Sequence, residues 1–171
     1  MDRLIWRTAD DPLPVHALVE SSDRAAARRS GTPPPRRRHA STRFLVARGL
    51  VRLGTEDGVP VVTVTVGPLP SFDSSSLDPA EGALPGAERP WYMQRLAVTP
   101  AHPDPLLGVR AVRHAMSLAA GAGADALRAE ANPDLSDVLE MLCSLGFARY
   151  GTIDTGPLRR TFLHLPLRGR P

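Results

Sequence analysis

The stretch "WYMQRLAVTPAHPDPLLGVRAVRHAM", residues 91–116, sets a strand-forming run directly before a helix-forming one. Residues 91–98, "WYMQRLAV", carry the aromatic and branched side chains that favour extended backbone. From Leu106 to Ala120 the polar residues Arg110, Arg113, His114 and Ser117 recur at i, i+3, i+4 and i+7. That spacing predicts one solvent-facing stripe, with Leu107, Ala111, Val112, Ala115, Met116 and Ala119 buried. Gly121 and Gly123 stop the helix. Between the two elements lies Pro103-Asp104-Pro105-Leu106-Leu107-Gly108. Backbone N–H groups at such a helix start are suited to hold an anion. Phosphate-holding turns are usually rich in glycine, however, because small residues admit the ligand to the backbone. This turn has two prolines, which lack the N–H donor. At this point it reads as a phosphate loop, as a degenerate one, or as a plain turn.

Upstream, residues 3–8, "RLIWRT", predict a first strand. Residues 13–29 carry Val15, Leu18, Val19 and Ala26 at helical spacing, and "SGTPPPRRR" breaks that helix. A short helix is expected at 41–48, capped by Ser41 or Thr42 and ended by Gly49. "LVRLGTEDGVPVVTVTVG" reads as a hairpin turning at Glu56-Asp57-Gly58, since Asp-Gly is a strong turn signal. Val62, Val64 and Val66 alternate with Thr63 and Thr65, which predicts a half-buried strand. Residues 67–90 are rich in Pro, Ser, Gly and acids, a long linker expected to be flexible or to cover a substrate.

Downstream, "ALRAEA" (126–131) alternates with Leu127, Ala129 and Ala131 inward. Asp134 is expected to open a helix with Asp137 at its third position, burying Leu135, Val138, Leu139, Leu142 and Leu145. Cys143 is expected to be a buried small residue of that helix. "FARYG" and "RTFLHLPL" close the chain as two strands. The order β-α-α-β-β-loop-β-α-β-α-β-β predicts an α/β (α+β) fold: one domain over residues 1–171 with a central mixed sheet.

A chain of 171 residues is long enough for a real core. No apolar run reaches the ~18–20 residues that span a membrane. "MDRLIWRTADDPLP" has too short an apolar core for a signal peptide, so a cytoplasmic location is expected. The one cysteine excludes an intrachain disulfide and a multi-cysteine metal site. All 21 basic residues are arginine, yet the net charge is only +3. The densest basic run, "PPPRRRHAS" (33–41), lacks interleaved aromatics, so a nucleic-acid partner is not expected. The histidines at 16, 39, 102, 114 and 164 show no metal-ligand spacing and no visible catalytic partner.

The element order, together with Leu96-Ala97-Val98-Thr99-Pro100 and Leu145-Gly146-Phe147 about 50 residues later, resembles the GCN5-related N-acetyltransferase (GNAT) family. The resemblance spans residues 91–151 and extends more loosely over 1–66. It implies acetyl-CoA as cosubstrate, an amine of a small molecule or protein as acceptor, no metal, and a homodimer as a common assembly. The pantetheine arm would pair with the backbone of Leu96, Ala97 and Val98. The pyrophosphate would meet the loop from Pro103 and the helix start at Leu106, Leu107, Gly108, Val109 and Arg110, with Arg113 nearby. Asn132 stands where members bond pantetheine or an ordered water, and Asn-Pro-Asp is also an ordinary turn.

The sequence departs from the family pattern twice. Of the loop's three marked positions, only Gly108 matches; Pro103 and Leu106 do not. The helix position that often carries a tyrosine is Leu142, which has no hydroxyl. No acid–base residue is assigned. Tyr92 and Gln94 lie on the strand that lines the family's substrate side, Glu81 and Glu88 belong to the long loop, and Tyr92 reads more readily as a packing residue beside Trp91. Two functions therefore stay open: an acetyl-CoA-dependent N-acetyltransferase, or a non-catalytic chain of the same fold that acts as a binding or assembly module.

Overall fold

The computed structural model describes residues 4–73, 83–154 and 159–167. Its elements are β1 (Ile5–Thr8), α1 (Pro12–Ser30), α2 (His39–Ala47), β2 (Val51–Glu56), β3 (Val59–Gly67), β4 (Pro90–Val98), α3 (Leu107–Gly121), β5 (Ala126–Ala131), α4 (Ser136–Ser144), β6 (Ala148–Ile153) and β7 (Arg160–Pro166). This is the expected order, element for element. The strands form one mixed sheet in the order β1-β2-β3-β4-β5-β7-β6. Among the described pairings only β4–β5 is parallel; β1–β2, β2–β3, β5–β7 and β6–β7 are antiparallel. The chain divides into two compact units, residues up to Val66 with Arg95–Ala115, and Gly67–Gln94 with the residues from Met116 onward.

In the first unit, α1 starts where Asp11 accepts the Leu13 N–H at 2.9 Å, with Pro12 idle as a donor at the first helical position. Its buried face is Val15, His16, Leu18 and Val19. The second helix begins earlier than expected. Arg38 holds the extended cap position and its carbonyl accepts from Ser41 and Thr42, so Thr42 is a buried interior residue rather than the cap. Asp57 and Gly58, at φ 49° and 79°, make the two-residue turn that the twist of a hairpin favours. The third strand corrects another expectation. It is buried on both faces, Thr63 and Thr65 included, because the Thr63 hydroxyl is satisfied by the Arg52 carbonyl at 2.9 Å.

In the second unit, Pro90–Met93 pair in register with Ala126–Ala129, and β5 pairs on its other side with β7. Ala126, Leu127, Arg128 and Ala129 are all buried and Ala131 is only half-buried, so the alternation expected of this strand fails at Ala126, Arg128 and Ala131. The α4 cap is Leu135, one residue after the predicted start, because the Asp134 N–H is taken by the Asn132 side chain at 2.9 Å. Leu139 and Leu142 are buried. Cys143 is exposed, against expectation: one residue on from Leu142 is a turn of about 100° around the helix. No described helix is long and apolar enough to cross a membrane.

Candidate functional site

The first unit builds the turn in question from the strand upward. Within β4, Arg95 has φ 52°, a left-handed conformation that side chains other than glycine rarely adopt. Leu96, Ala97 and Val98 complete the strand, and Thr99 donates to the Val61 carbonyl at 2.8 Å. Ala101 is again left-handed, at φ 59°, and folds His102 back so that its N–H reaches the Thr99 carbonyl.

His102 then fixes the loop. Its Nδ1 accepts the Asp104 N–H at 3.1 Å, so the ring proton is on Nε2, which donates to Glu56 Oε2 at 3.1 Å. Both side chains are largely shielded, 10% and 17% exposed. No partner for His102 is visible in the sequence; the fold supplies one 46 residues away.

Asp104 occupies the place where an anion is wanted. One carboxylate oxygen accepts the Leu106 N–H at 2.9 Å and the other lies 3.3 Å from the Arg110 guanidinium. Leu107 N–H is used as well, on the Asp104 carbonyl at 3.4 Å. Two donors of the first turn stay open: among the described residues neither Gly108 N–H nor Val109 N–H has an acceptor. Pro103, Pro105 and Leu106 are exposed, and Leu107 is fully buried. The loop therefore keeps part of an anion site and fills the rest with its own carboxylate.

A second constellation in this unit went unseen in the sequence. His16, 2% exposed, is stacked on His39 at 3.7 Å and bonded through Nδ1 to the Thr42 hydroxyl at 2.8 Å. Arg95 donates to the same hydroxyl at 3.0 Å. With Arg95 always the donor, the arrangement that uses the Thr42 proton has the hydroxyl donating to His16 Nδ1. The His16 Nε2 lies 3.3 Å from a Glu20 oxygen but outside hydrogen-bond geometry, and has no other partner among the described residues. Burial and the neighbouring Arg37 lower the Arg95 pKa, which Asp23 partly offsets. The sequence signal was slight: a histidine on the apolar face of α1, between Val15 and Leu18.

The second unit holds the remaining predicted residues. Asn132 forms an Asx turn, and its carbonyl accepts from Leu135. Leu142 is 3% exposed and packed. Tyr92 is buried, as its packing reading requires, and meets Phe72 edge-on at 5.5 Å. Gln94 and Glu88 are in the described part, whereas Glu81 lies outside the described residues. Beside Tyr92 stands Arg128, and beside that His164, three residues in one row across paired strands. Burial and Arg128 hold the His164 pKa below its ordinary value, with Asp125 opposing weakly. Among the described residues no group of three His, Cys, Asp or Glu side chains is placed to hold a metal.

A parallel β4–β5 ladder in an otherwise antiparallel described sheet, a left-handed residue inside β4, and a loop running from β4 into the start of α3 define the class: this is the fold of the GNAT acetyltransferases. An acetyltransferase of that family from Streptococcus agalactiae matches it with a TM-score of 0.77 over 95% of each chain, at 15% identity. A putative acetyltransferase, yncA from Salmonella typhimurium, solved with its cofactor acetyl-CoA, matches with a TM-score of 0.66 over 99% of this chain and 96% of that one, at 20% identity. A ribosomal-protein-alanine N-acetyltransferase from Brucella melitensis matches with a TM-score of 0.66 over 95% and 99%, at 16% identity. No protein-family model and no curated protein matches the sequence.

Proposed function

We infer that this protein is an N-acetyltransferase that draws its acyl group from acetyl-CoA. The observation that carries this reading is the pair of open N–H groups at Gly108 and Val109, at the start of a 15-residue helix that follows β4. Two oriented donors and the helix dipole favour a phosphate oxygen there. The residues fit the nucleotide in part. Gly108 and Val109 would take pyrophosphate oxygen, and the Leu96–Val98 backbone would pair with the pantetheine arm. Asp104 opposes this by charge, and Arg110 is shared with it at 3.3 Å. Bound acetyl-CoA would supply the activated acyl group. The chain would contribute positioning, which alone provides much of the acceleration in a two-substrate transfer.

Calorimetric titration with acetyl-CoA, and with CoA as second ligand, tests the reading. Micromolar binding that Gly108→Trp abolishes without unfolding the protein is the expected result. Binding unchanged by Gly108→Trp would place the nucleotide elsewhere. A second reading, a non-catalytic binding or assembly module, is favoured by one feature: the Asp104 carboxylate already bonded to Leu106 N–H. No binding of either ligand at millimolar concentration would support it.

A further inference from the structure

Arg128 is a buried cation in neutral company. The residue is 8% exposed, in the middle of β5, with β4 paired on one side and β7 on the other. Its Nη2 donates to the Pro85 carbonyl at 2.7 Å, its Nη1 to the Tyr92 hydroxyl at 3.4 Å and its Nε to His164 Nδ1 at 3.5 Å. The last two are at the outer limit of hydrogen bonding. No carboxylate is paired with it among the described residues. Asp125, which acts on His164 by charge, accepts from the Glu88 and Arg89 N–H groups at 2.7 and 3.0 Å, and Glu130, two residues further along β5, is paired with Arg160 at 3.5 Å.

Taking a guanidinium out of water costs several kcal/mol, and folds normally return that cost with a carboxylate or leave arginine at the surface. Among the described residues no carboxylate does so here, and unused donors surround the charge. Of the five N–H groups of the guanidinium, one on each Nη is uncommitted. The Tyr92 oxygen accepts from Arg128, so its own proton is still to be given, and no acceptor for it stands among the described residues. With Nδ1 accepting, His164 carries its proton on Nε2, and burial keeps the ring uncharged. Phe72 and Phe162, their rings 4.6 Å apart, and Phe72 against Tyr92 form the apolar wall of the row.

We propose that Arg128, with the Tyr92 hydroxyl, is a recognition point for the carboxylate of the acceptor, so that the protein takes amines that also carry a carboxylate, of the amino-acid kind. One cation flanked by neutral donors balances one monoanion; the several charges of a nucleotide would outnumber it. A planar fork in a low-dielectric row holds a carboxylate by two parallel bonds and discriminates strongly against the same amine without it. The word acceptor rests on the acetyltransferase reading, but the carboxylate site itself does not.

The test uses the full chain and two matched pairs, L-alanine against ethylamine and L-phenylalanine against phenethylamine, titrated with and without saturating CoA. The expected result is that one or both amino acids bind and their amines bind about 10- to 100-fold more weakly. Arg128→Met should abolish that preference and leave the melting temperature unchanged or raised, since an apolar side chain removes an unreturned desolvation cost. Arg128→Lys, which keeps the charge but not the fork, should restore the preference in part. A fall in melting temperature in Arg128→Met would show that the guanidinium serves the fold, and would overturn the proposal. So would equal binding of acid and amine, or binding of neither. If the amino acids bind while acetyl-CoA does not, the acetyltransferase reading fails and the carboxylate site stands. If acetyl-CoA binds and amines are acetylated without regard to a carboxylate, the reverse holds.

Discussion

At the start of α3 each charged side chain of the turn meets an opposite one or a backbone dipole. Asp104 accepts the Leu106 N–H and pairs with Arg110, and His102 Nε2–H donates to Glu56. In the row Tyr92-Arg128-His164, by contrast, the Arg128 charge meets, among the described residues, a carbonyl, a phenol and a neutral imidazole. The first arrangement is complete in itself, so a phosphate arriving there must compete with a carboxylate already in place. The second is incomplete, and a ligand would finish it. Polar groups that are fully satisfied stabilise a fold, whereas an unreturned buried charge is tolerated where binding makes use of it.

The contrast depends on the row lying in packed interior, and the largest expected effect tests that. Phe162 is 1% exposed and tilted against Phe72 at 4.6 Å. Phe162→Ala should cost about 3–5 kcal/mol in urea unfolding, as core aromatic truncations do. A cost below about 1 kcal/mol would mean that the row can reach water, and Arg128 would then need no counter-charge.

Asp104→Ala comes next and moves two quantities in opposite directions. Loss of the carboxylate that accepts the Leu106 N–H should destabilise the protein by about 0.5–2 kcal/mol. The same change frees a donor, releases Arg110 and removes a negative charge, so acetyl-CoA should bind more tightly. Tighter binding with lower stability would show that the loop trades ligand affinity for self-satisfaction. Weaker binding would show instead that Asp104 holds the turn in the shape the nucleotide needs.

What the sequence made legible follows from which signals are local. The strand at 91–98, the polar stripe of α3 and the Asp57-Gly58 hairpin each lie within one stretch of chain, where periodicity and turn chemistry decide the outcome. The GNAT-like order could be assembled from such pieces. The departures in the loop were visible too, because Pro103, Pro105 and Leu106 differ from glycine in ways any backbone feels. The polar constellations were not, since His102 finds Glu56, Arg95 finds Thr42 and Arg128 finds His164 only after the chain has folded. Arg128 was the most deceptive. In "ALRAEA" it occupies an outward position of an alternating strand, and only the folded second unit, with the Pro85 carbonyl bonded to it and Tyr92 and His164 on its two sides, turns outward into buried.

The smallest effect expected is on pH dependence, and it separates the two regions by a different route. In the native row His164 binds its proton less readily than in the unfolded chain, because burial and Arg128 both disfavour the imidazolium. His114, shielded and near Arg52, is shifted the same way. For a histidine lowered on folding, the unfolded state binds more protons once the pH falls below about 6.5, its ordinary value, so stability is full above that pH and declines beneath it. Urea unfolding at about pH 8 and about pH 5.5 should therefore show the protein less stable in acid. His164→Gln should reduce the difference, leaving the share due to His114. Arg128→Met should reduce it as well, by removing one of the two causes at His164, while Asp104→Ala should leave the His164 share intact. A pH dependence unaltered in Arg128→Met would mean that desolvation alone sets the His164 shift, and that the Arg128 charge is screened more effectively than a buried, unreturned cation can be.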